Sequence, residues 1–254
     1  MTSVSSFYDE LAADYHLNYA DWNNAVRRQG RTLAQLIAAN GAAGARTVLD
    51  CSCGIGTQAI GLALEEYAVT ATDISPASIE RARHEAGNFG VEIPFSVADF
   101  RDLSSVETTF DAVISCDNSL THVLTDDDIL TALRSMRDRL NPGGLLVIGI
   151  RDYDEITRQR PRSTSPQVID RETGRSILFQ VWDWFEDGRG YDFTLFVVKA
   201  EGEGWATTAK TTRYRALLRD ELDALLLEAG FVDPEWHFWE ETGHHQPLVT
   251  ARRA

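Results

Sequence analysis

Between residues 46 and 150 short apolar runs alternate with amphipathic stretches. Arg46–Cys51, Val69–Asp73, Ile93–Ala98, Phe110–Cys116 and Leu145–Ile150 read as strands buried on both faces. Thr57–Tyr67 and the stretches after Ser75-Pro76 and Thr125 carry helical spacing. Ser75 precedes a proline at a first helical position, and Thr125 opens onto three aspartates that suit a helix N-terminus. The third of these helices is expected to stop at Asn141-Pro142-Gly143-Gly144. Strand–helix alternation of this kind predicts a doubly wound, mostly parallel sheet. After Asp152 the period changes to two. Gln167–Ile169, Ser176–Phe185, Tyr191–Lys199 and Trp205–Arg215 alternate apolar and polar around glycine turns, which predicts antiparallel hairpins. A helix over Arg219–Ala229 and closing strands over Phe231–Glu240 and Pro247–Arg252 follow, while Arg158–Pro166 reads as a mobile loop. At the front, Phe7–Tyr19 is aromatic-rich and partly helical, and Asp21 caps a helix over Trp22–Asn40. The expected organisation is an N-terminal helical lid (1–45), a core (46–151 and 217–254) and an antiparallel insertion (152–216).

Composition narrows the partners. The chain has 254 residues, 43% of them hydrophobic, enough for one domain with an embellishment. A formal net charge of −15 speaks against nucleic acid and anionic lipid. With no apolar run long enough to cross a bilayer, a cytoplasmic location without membrane contact is expected. Cys51, Cys53 and Cys116 read as small packing residues. No metal is expected, since histidines and cysteines do not cluster at ligand spacings along the sequence.

The most specific stretch is Asp50-Cys51-Ser52-Cys53-Gly54-Ile55-Gly56, directly after Thr47-Val48-Leu49. It places a glycine turn between a buried strand and a helix, where the backbone can approach a ligand closely. An acid in the mouth of that turn would repel a pyrophosphate. It suits a cofactor with a cationic amino-acid end and no phosphate, which describes S-adenosylmethionine. Asp50, Asp73, Asp99 and Asp117 fall in or just after consecutive strand ends, which converge at the carboxyl edge of a parallel sheet. Asp73 can accept ribose hydroxyls, and Asp99 with Phe100 suits an adenine. One such acid alone is more often a turn or helix cap; their order together with Gly54-x-Gly56 is what carries the reading.

These motifs, with Thr70-Ala71-Thr72-Asp73-Ile74-Ser75, Ala98-Asp99-Phe100, Phe110-Asp111-Ala112-Val113-Ile114 and Leu140-Asn141-Pro142-Gly143-Gly144, resemble the class I S-adenosylmethionine-dependent methyltransferases. Asn118-Ser119-Leu120-Thr121-His122, Ile150-Arg151-Asp152-Tyr153-Asp154 and the insertion after them are similar to the glycine and glycine/sarcosine N-methyltransferases. The resemblance implies a Rossmann-like α/β fold with a mostly parallel seven-stranded sheet. It implies that Arg28 or Gln29 reaches the methionine carboxylate, that Arg151 clamps an acceptor carboxylate and that Asn118 takes its amine. The expected cofactor set is Tyr8, Arg28, Gln29, Asp50, Cys51, Gly54, Gly56, Asp73, Ile74, Asp99, Phe100, Cys116 and Asp117. Asn118, Arg151, His122, His244, His245 and Tyr15 are the expected acceptor and catalytic residues, with histidines as candidate bases.

The acceptor stays open. Asn118 and Arg151 favour glycine or sarcosine. Trp182, Trp184, Phe185 and Trp205 offer more aromatic surface than glycine needs, and favour a larger, heteroaromatic acceptor methylated on nitrogen or an electron-rich carbon. The same arginine could instead pair locally with Asp152 and Asp154. A nicotinamide dehydrogenase, from Gly54-x-Gly56-x-x-Ala59, and a non-catalytic S-adenosylmethionine sensor are the competing classes. Monomer and homodimer are both compatible with the sequence.

Overall fold

The computed structural model describes residues 3–171 and 174–254. Val4–Leu11 (α1) and a short 3-10 turn at Tyr15–Asn18 precede Trp22–Asn40 (α2). Asp21 caps α2 by accepting the Asn24 N–H at 3.0 Å. Then follow Thr47–Asp50 (β1), Thr57–Leu64 (α3), Ala68–Asp73 (β2), Pro76–Phe89 (α4), Phe95–Val97 (β3), Phe110–Ser115 (β4), Asp126–Asp138 (α5) and Leu140–Gly149 (β5). Tyr153–Gln159 (α6) leads into Gln167–Arg171 (β6), Gly174–Trp184 (β7), Gly190–Glu201 (β8) and Gly204–Arg215 (β9). Arg219–Glu228 (α7), Phe231–His237 (β10), Trp239–Thr242 (α8) and Leu248–Arg253 (β11) close the chain.

The main sheet has seven strands in the order β3-β2-β1-β4-β5-β11-β10. Pairing is parallel from β3 to β5, and β11 runs antiparallel to both its neighbours. The second sheet, β6-β7-β8-β9, is an antiparallel meander. Strand residues alternate between two cores. Val48, Ile114 and Val147 pack with α2, α3 and α4 through Leu33, Ile60 and Ile79. Leu49, Val113 and Ile148 pack with α5 and α7 through Leu133 and Leu226. A one-residue slip would exchange the two faces, and each fully buried aliphatic side chain contributes about 1.5–3 kcal/mol, so the register is firmly set. Strand order reverses between β1 and β4, and the crevice at their carboxyl ends is where such sheets bind ligands.

Three local expectations change. Asn141–Gly144 is not the end of a helix; it is the irregular start of β5, where Asn141 donates to Asp111 Oδ1 at 2.9 Å and the register shifts. The strand expected to reach Glu240 stops at His237, and the chain turns through α8, which ends at Gly243 with φ +67°. The expected loop at 158–166 begins inside α6 and is then pinned to β7, with Thr164 N–H on Gln180 O at 3.0 Å and Trp182 N–H on Arg162 O at 2.9 Å.

Candidate active site

Two cavities open at the carboxyl edge of the main sheet, of about 380 Å³ and about 560 Å³. Tyr8, Tyr15 and Asp117 line both, so the cavities meet at these three side chains.

The first cavity is built on the glycine turn. Gly54 has φ +53°, and a Cβ there would point into open space, while a Cβ on Gly56 would lie 2.9 Å from Ile60 Cδ1. Gly54 therefore leaves the cavity floor bare, and Gly56 lies behind it, fixed by the packing of α3. The Gly54 and Ser75 N–H groups donate to the two oxygens of Asp73 at 2.8 and 2.9 Å. Burial pushes the Asp73 carboxyl up to about 6, and these two donors restrain the rise. Ile74 and Phe100 supply apolar walls, with Cys51 and Asp99 also on the lining. Burial works to raise Asp99, yet hydrogen bonds from Arg101 hold it below the ordinary carboxylate range. Its carboxylate thus faces the cavity already shared with Arg101 Nε at 3.0 Å.

Several residues expected on this lining lie elsewhere. Asp50, at the end of β1, is buried and off both linings. Ser52 N–H donates to its Oδ1 at 3.3 Å, Oδ2 has no partner, and burial pushes the carboxyl up to about 8. Cys116 is buried behind β4. Gln29 accepts from Gln58 Nε2 at 2.7 Å, and it is Gln58, in the first turn of α3, that lines the cavity. Arg28 lines the second cavity. His122, expected beside the acceptor, lines the first; its Nε2 accepts from Tyr8 O–H at 2.8 Å, and burial pushes the ring down to about 3, so it is neutral.

The second cavity lies between the α1 segment and the second sheet. Phe7 and Leu11 face Leu178, Phe179, Phe193, Leu195 and Tyr214 across it. Arg151 enters from the end of β5. Its Nη1 donates to the Tyr191 hydroxyl oxygen at 2.8 Å, and its guanidinium carbon lies 4.8–5.3 Å from the ring centres of Trp182, Tyr214 and Phe193. Asp152 and Asp154 are engaged by Arg219 instead, at 3.1 and 3.3 Å, so the local ion pair drawn for Arg151 from the sequence does not form. Asn118 is turned inward by φ +70° and does not reach either cavity. Its Nδ2 donates to the Tyr153 hydroxyl oxygen at 3.0 Å and its Oδ1 accepts the Arg151 backbone N–H at 3.1 Å. Asn118 thus ties the Arg151 backbone to Tyr153. Nor do the tryptophans of the insertion line a cavity. Trp182 stacks on Tyr191 at 4.6 Å beneath Arg151, Trp184 donates to Pro161 O, and Trp205 is half exposed.

The loop before β11 brings a feature absent from the sequence pattern. His245 lines the second cavity with Nε2 3.2 Å from Asp117 Oδ1. Asp117 itself has φ +54°, a strained conformation that aims its side chain at both cavities, and its Oδ2 accepts Tyr19 O–H at 2.7 Å. Burial works to raise Asp117, but the contact with His245 and the neighbouring imidazoles hold it well below the usual carboxylate range. His244 is buried off the lining; Gln246 O lies 3.0 Å from its Nδ1, and its Nε2 has no partner. Asp117, His244 and His245 each bring one side-chain atom within 4.8 Å of the others. Spacing along the sequence does not reveal this cluster, since Asp117 comes from the residue pair after β4 and the histidines from the loop before β11. Asp9 was also missed: from α1 it accepts from Ser75 Oγ at 2.6 Å and Ala77 N–H at 3.1 Å, tying the lid to the start of α4.

The residues of the first cavity fit S-adenosylmethionine. A buried acid meets a bare glycine turn, an apolar wall stands beside them, and an unpartnered carboxyl oxygen lies below. Residues 48–144 match a family model described as a methyltransferase domain. The chain is 26% identical over 232 residues to the putative methyltransferase YqeM of Bacillus subtilis (strain 168), covering 89% of this chain and 84% of YqeM. It is 34% identical over 137 residues to the glycine/sarcosine N-methyltransferase of Parasynechococcus marenigrum (strain WH8102), covering 54% of this chain but only 48% of that protein. Among solved structures it is similar to S-adenosylmethionine-bound CalS10, an amino pentose methyltransferase from Micromonospora echinaspora, with a TM-score of 0.73, 21% identity and 95% of each chain covered. With the ordered acids on a glycine turn and the cavity they build, residues 48–144 carry a methyltransferase domain, and the chain is similar to the class I S-adenosylmethionine-dependent methyltransferases, the glycine/sarcosine N-methyltransferases among them.

Proposed function

We propose that the enzyme methylates the nitrogen of a small-molecule amine larger than glycine that carries an anionic or oxygen-rich group. The observation behind this reading is the second cavity, about 560 Å³, joined to the cofactor cavity at Tyr8, Tyr15 and Asp117. That volume lies in the range of sites for whole metabolites. The amino pentose acceptor in the name of CalS10 is of this kind. An aromatic acceptor gains less support, since the tryptophans turn away from the cavity.

In this reading Asp73 takes the ribose hydroxyls, Ile74 and Phe100 clasp the adenine, and Arg28, on the lining of the second cavity, reaches across to the methionine carboxylate. Bound S-adenosylmethionine supplies a methyl group made electrophilic by a sulfonium. The protein's part is to hold the nucleophile about 3 Å from that carbon and in line, with water excluded. Tyr8 and Tyr15 stand where the two ligands meet; burial pushes both hydroxyls well above their ordinary range, so they act as neutral phenols. In this reading α1 and the 3-10 turn after it act as a lid, carrying Tyr8 and Tyr15 over the junction. Arg151 holds the polar end of the acceptor, since its charge is desolvated yet unpaired with any carboxylate among the described residues.

Glycine or sarcosine is the second reading, favoured by Arg151 and weakened by Asn118, which is occupied by Tyr153 and the Arg151 backbone. Mass spectrometry of a panel of glycine, sarcosine, amino sugars and larger amino acids decides between them. The expected result is methyl gain on a larger amine, with kcat/KM about 100-fold or more above that of glycine, and a KM raised about tenfold in Arg151→Ala. Glycine as the best substrate overturns the proposal.

A further inference from the structure

We propose that Asp117, His244 and His245 form a binding site for one divalent transition-metal ion, of the zinc or cobalt class, at the edge of the acceptor cavity. The site goes beyond the methylation reading and stands apart from it.

The three groups come from two distant segments and meet at one place. Asp117 follows β4, the histidines precede β11, and each brings one ligand atom within 4.8 Å of the others. Atoms so spaced fit a circle of about 2.8 Å radius, so none needs to move more than about 0.7 Å to reach a metal bond of about 2.0–2.1 Å. His245 Nε2 already lies 3.2 Å from Asp117 Oδ1. Neighbouring ligands on one such ion stand about 2.8–3.4 Å apart. The approach is not a hydrogen bond, because Asp117 Oδ1 has no hydrogen-bond partner.

The free lone pairs are distributed as a ligand set requires. His244 is 1% exposed, and its Nε2 has no partner. Its Nδ1 lies 3.0 Å from Gln246 O, which can only accept; the Gln246 N–H stands farther off, at 3.4 Å. Nδ1 therefore carries the proton and Nε2 the bare lone pair. Tyr19 donates to Asp117 Oδ2 at 2.7 Å, which leaves Oδ1 for the ion. A carbonyl behind a histidine and a hydroxyl behind a carboxylate are the supports that orient metal ligands. Buried acceptors without donors are rare, and two of them belong to this one cluster. Among the described residues no lysine or arginine pairs with Asp117. A divalent ion satisfies all three atoms and balances the carboxylate.

Two imidazoles and one carboxylate suit a transition ion better than magnesium or calcium, which take oxygen ligands. Three protein ligands leave a position open. Asp117 and His245 both line the second cavity, so that position is reached from the acceptor side, where water or an acceptor oxygen completes the shell.

The test uses untagged full-length protein, so that no added histidines bind metal. Stripped with chelator and titrated with zinc, it is expected to take up one ion per chain and to gain thermal stability. His245→Ala, a change at a side chain 35% exposed, is expected to weaken zinc binding about 100-fold, and Tyr19→Phe about tenfold. Melts of the metal-free variants check that they fold. The cobalt-loaded protein is expected to lack a thiolate charge-transfer band, since Cys51, Cys53 and Cys116 are outside the set. Its visible spectrum is expected to change when azide takes the open position. Less than half an equivalent of zinc bound overturns the proposal, as does affinity kept within threefold in both His244→Ala and His245→Ala. A thiolate band assigns the ion to the cysteines and overturns it too. A spectrum that azide leaves unchanged overturns the open position toward the acceptor.

Discussion

Asp50 shows how sequence can name a residue whose surroundings only the fold reveals. The sequence marks it as an acid at the mouth of a turn; the fold buries it below that turn, with one oxygen unpartnered. Its carboxyl, at 3.8 when exposed, is raised to about 8 by burial. The folded state thus holds a proton that the unfolded chain releases. The resulting stabilisation is complete below about pH 4 and is lost as pH rises toward about 8, a change of up to a few kcal/mol. Asp50→Asn keeps the shape without the charge, so its urea midpoint without ligand is expected to vary less from pH 5 to 8 than that of wild type. Parallel curves would mean that Asp50 is ionised in the folded protein. At this scale the sequence could name residue types at strand ends but not their direction. Asn118 and Asp117 both have positive φ, and that local twist sends one inward to Arg151 and the other out to the cavities.

Elements were more legible than residues, because periodicity and caps are local. Asp21, Ser75 and Thr125 each cap the helix that their positions announced, Ser75 accepting the Ser78 N–H at 3.0 Å and Thr125 the Asp128 N–H at 3.2 Å. The packing of α2 on α3 carried no such signal. A Cβ on Gly30 would lie 2.2 Å from the carbonyl carbon of Gly61, and one on Gly61 would lie 2.4 Å from Val26 O. Backbone meets backbone there, so nothing flexible can yield. Gly30→Ala or Gly61→Ala is expected to cost about 3 kcal/mol or more, lowering Tm by about 6–12 °C in a thermal melt. Cofactor affinity should fall as well, since α3 begins directly after the turn that carries Gly54. The ion pairs from α1 and the turn after it to the second sheet, Glu10–Lys210 at 2.7 Å and Asp14–Lys199 at 2.6 Å, are surface contacts worth about 0–1 kcal/mol. Burial of Phe7 and Leu11 is the stronger hold on the lid.

For the whole molecule, cofactor binding and folding are linked. S-adenosylhomocysteine at 100 times its Kd should add about 2.7 kcal/mol, a rise of about 5–11 °C in Tm, and NAD should add nothing. A shift with NAD instead would revive the dehydrogenase reading that the glycine spacing allowed. The sequence by itself determined the parallel sheet, the order of acids along its edge and so the methyl donor, because strand periodicity, glycine turns and caps act within a few residues. Tertiary structure alone decided the acceptor side. The antiparallel β11 beside β5 returns the chain to the carboxyl edge, which sets His245 against Asp117 across 128 positions of sequence. The meander turns its tryptophans away and encloses Arg151 in rings, leaving a cavity whose size no linear pattern records. Contacts between distant segments follow from how sheets stack and strands reverse, and only the assembled fold fixes them.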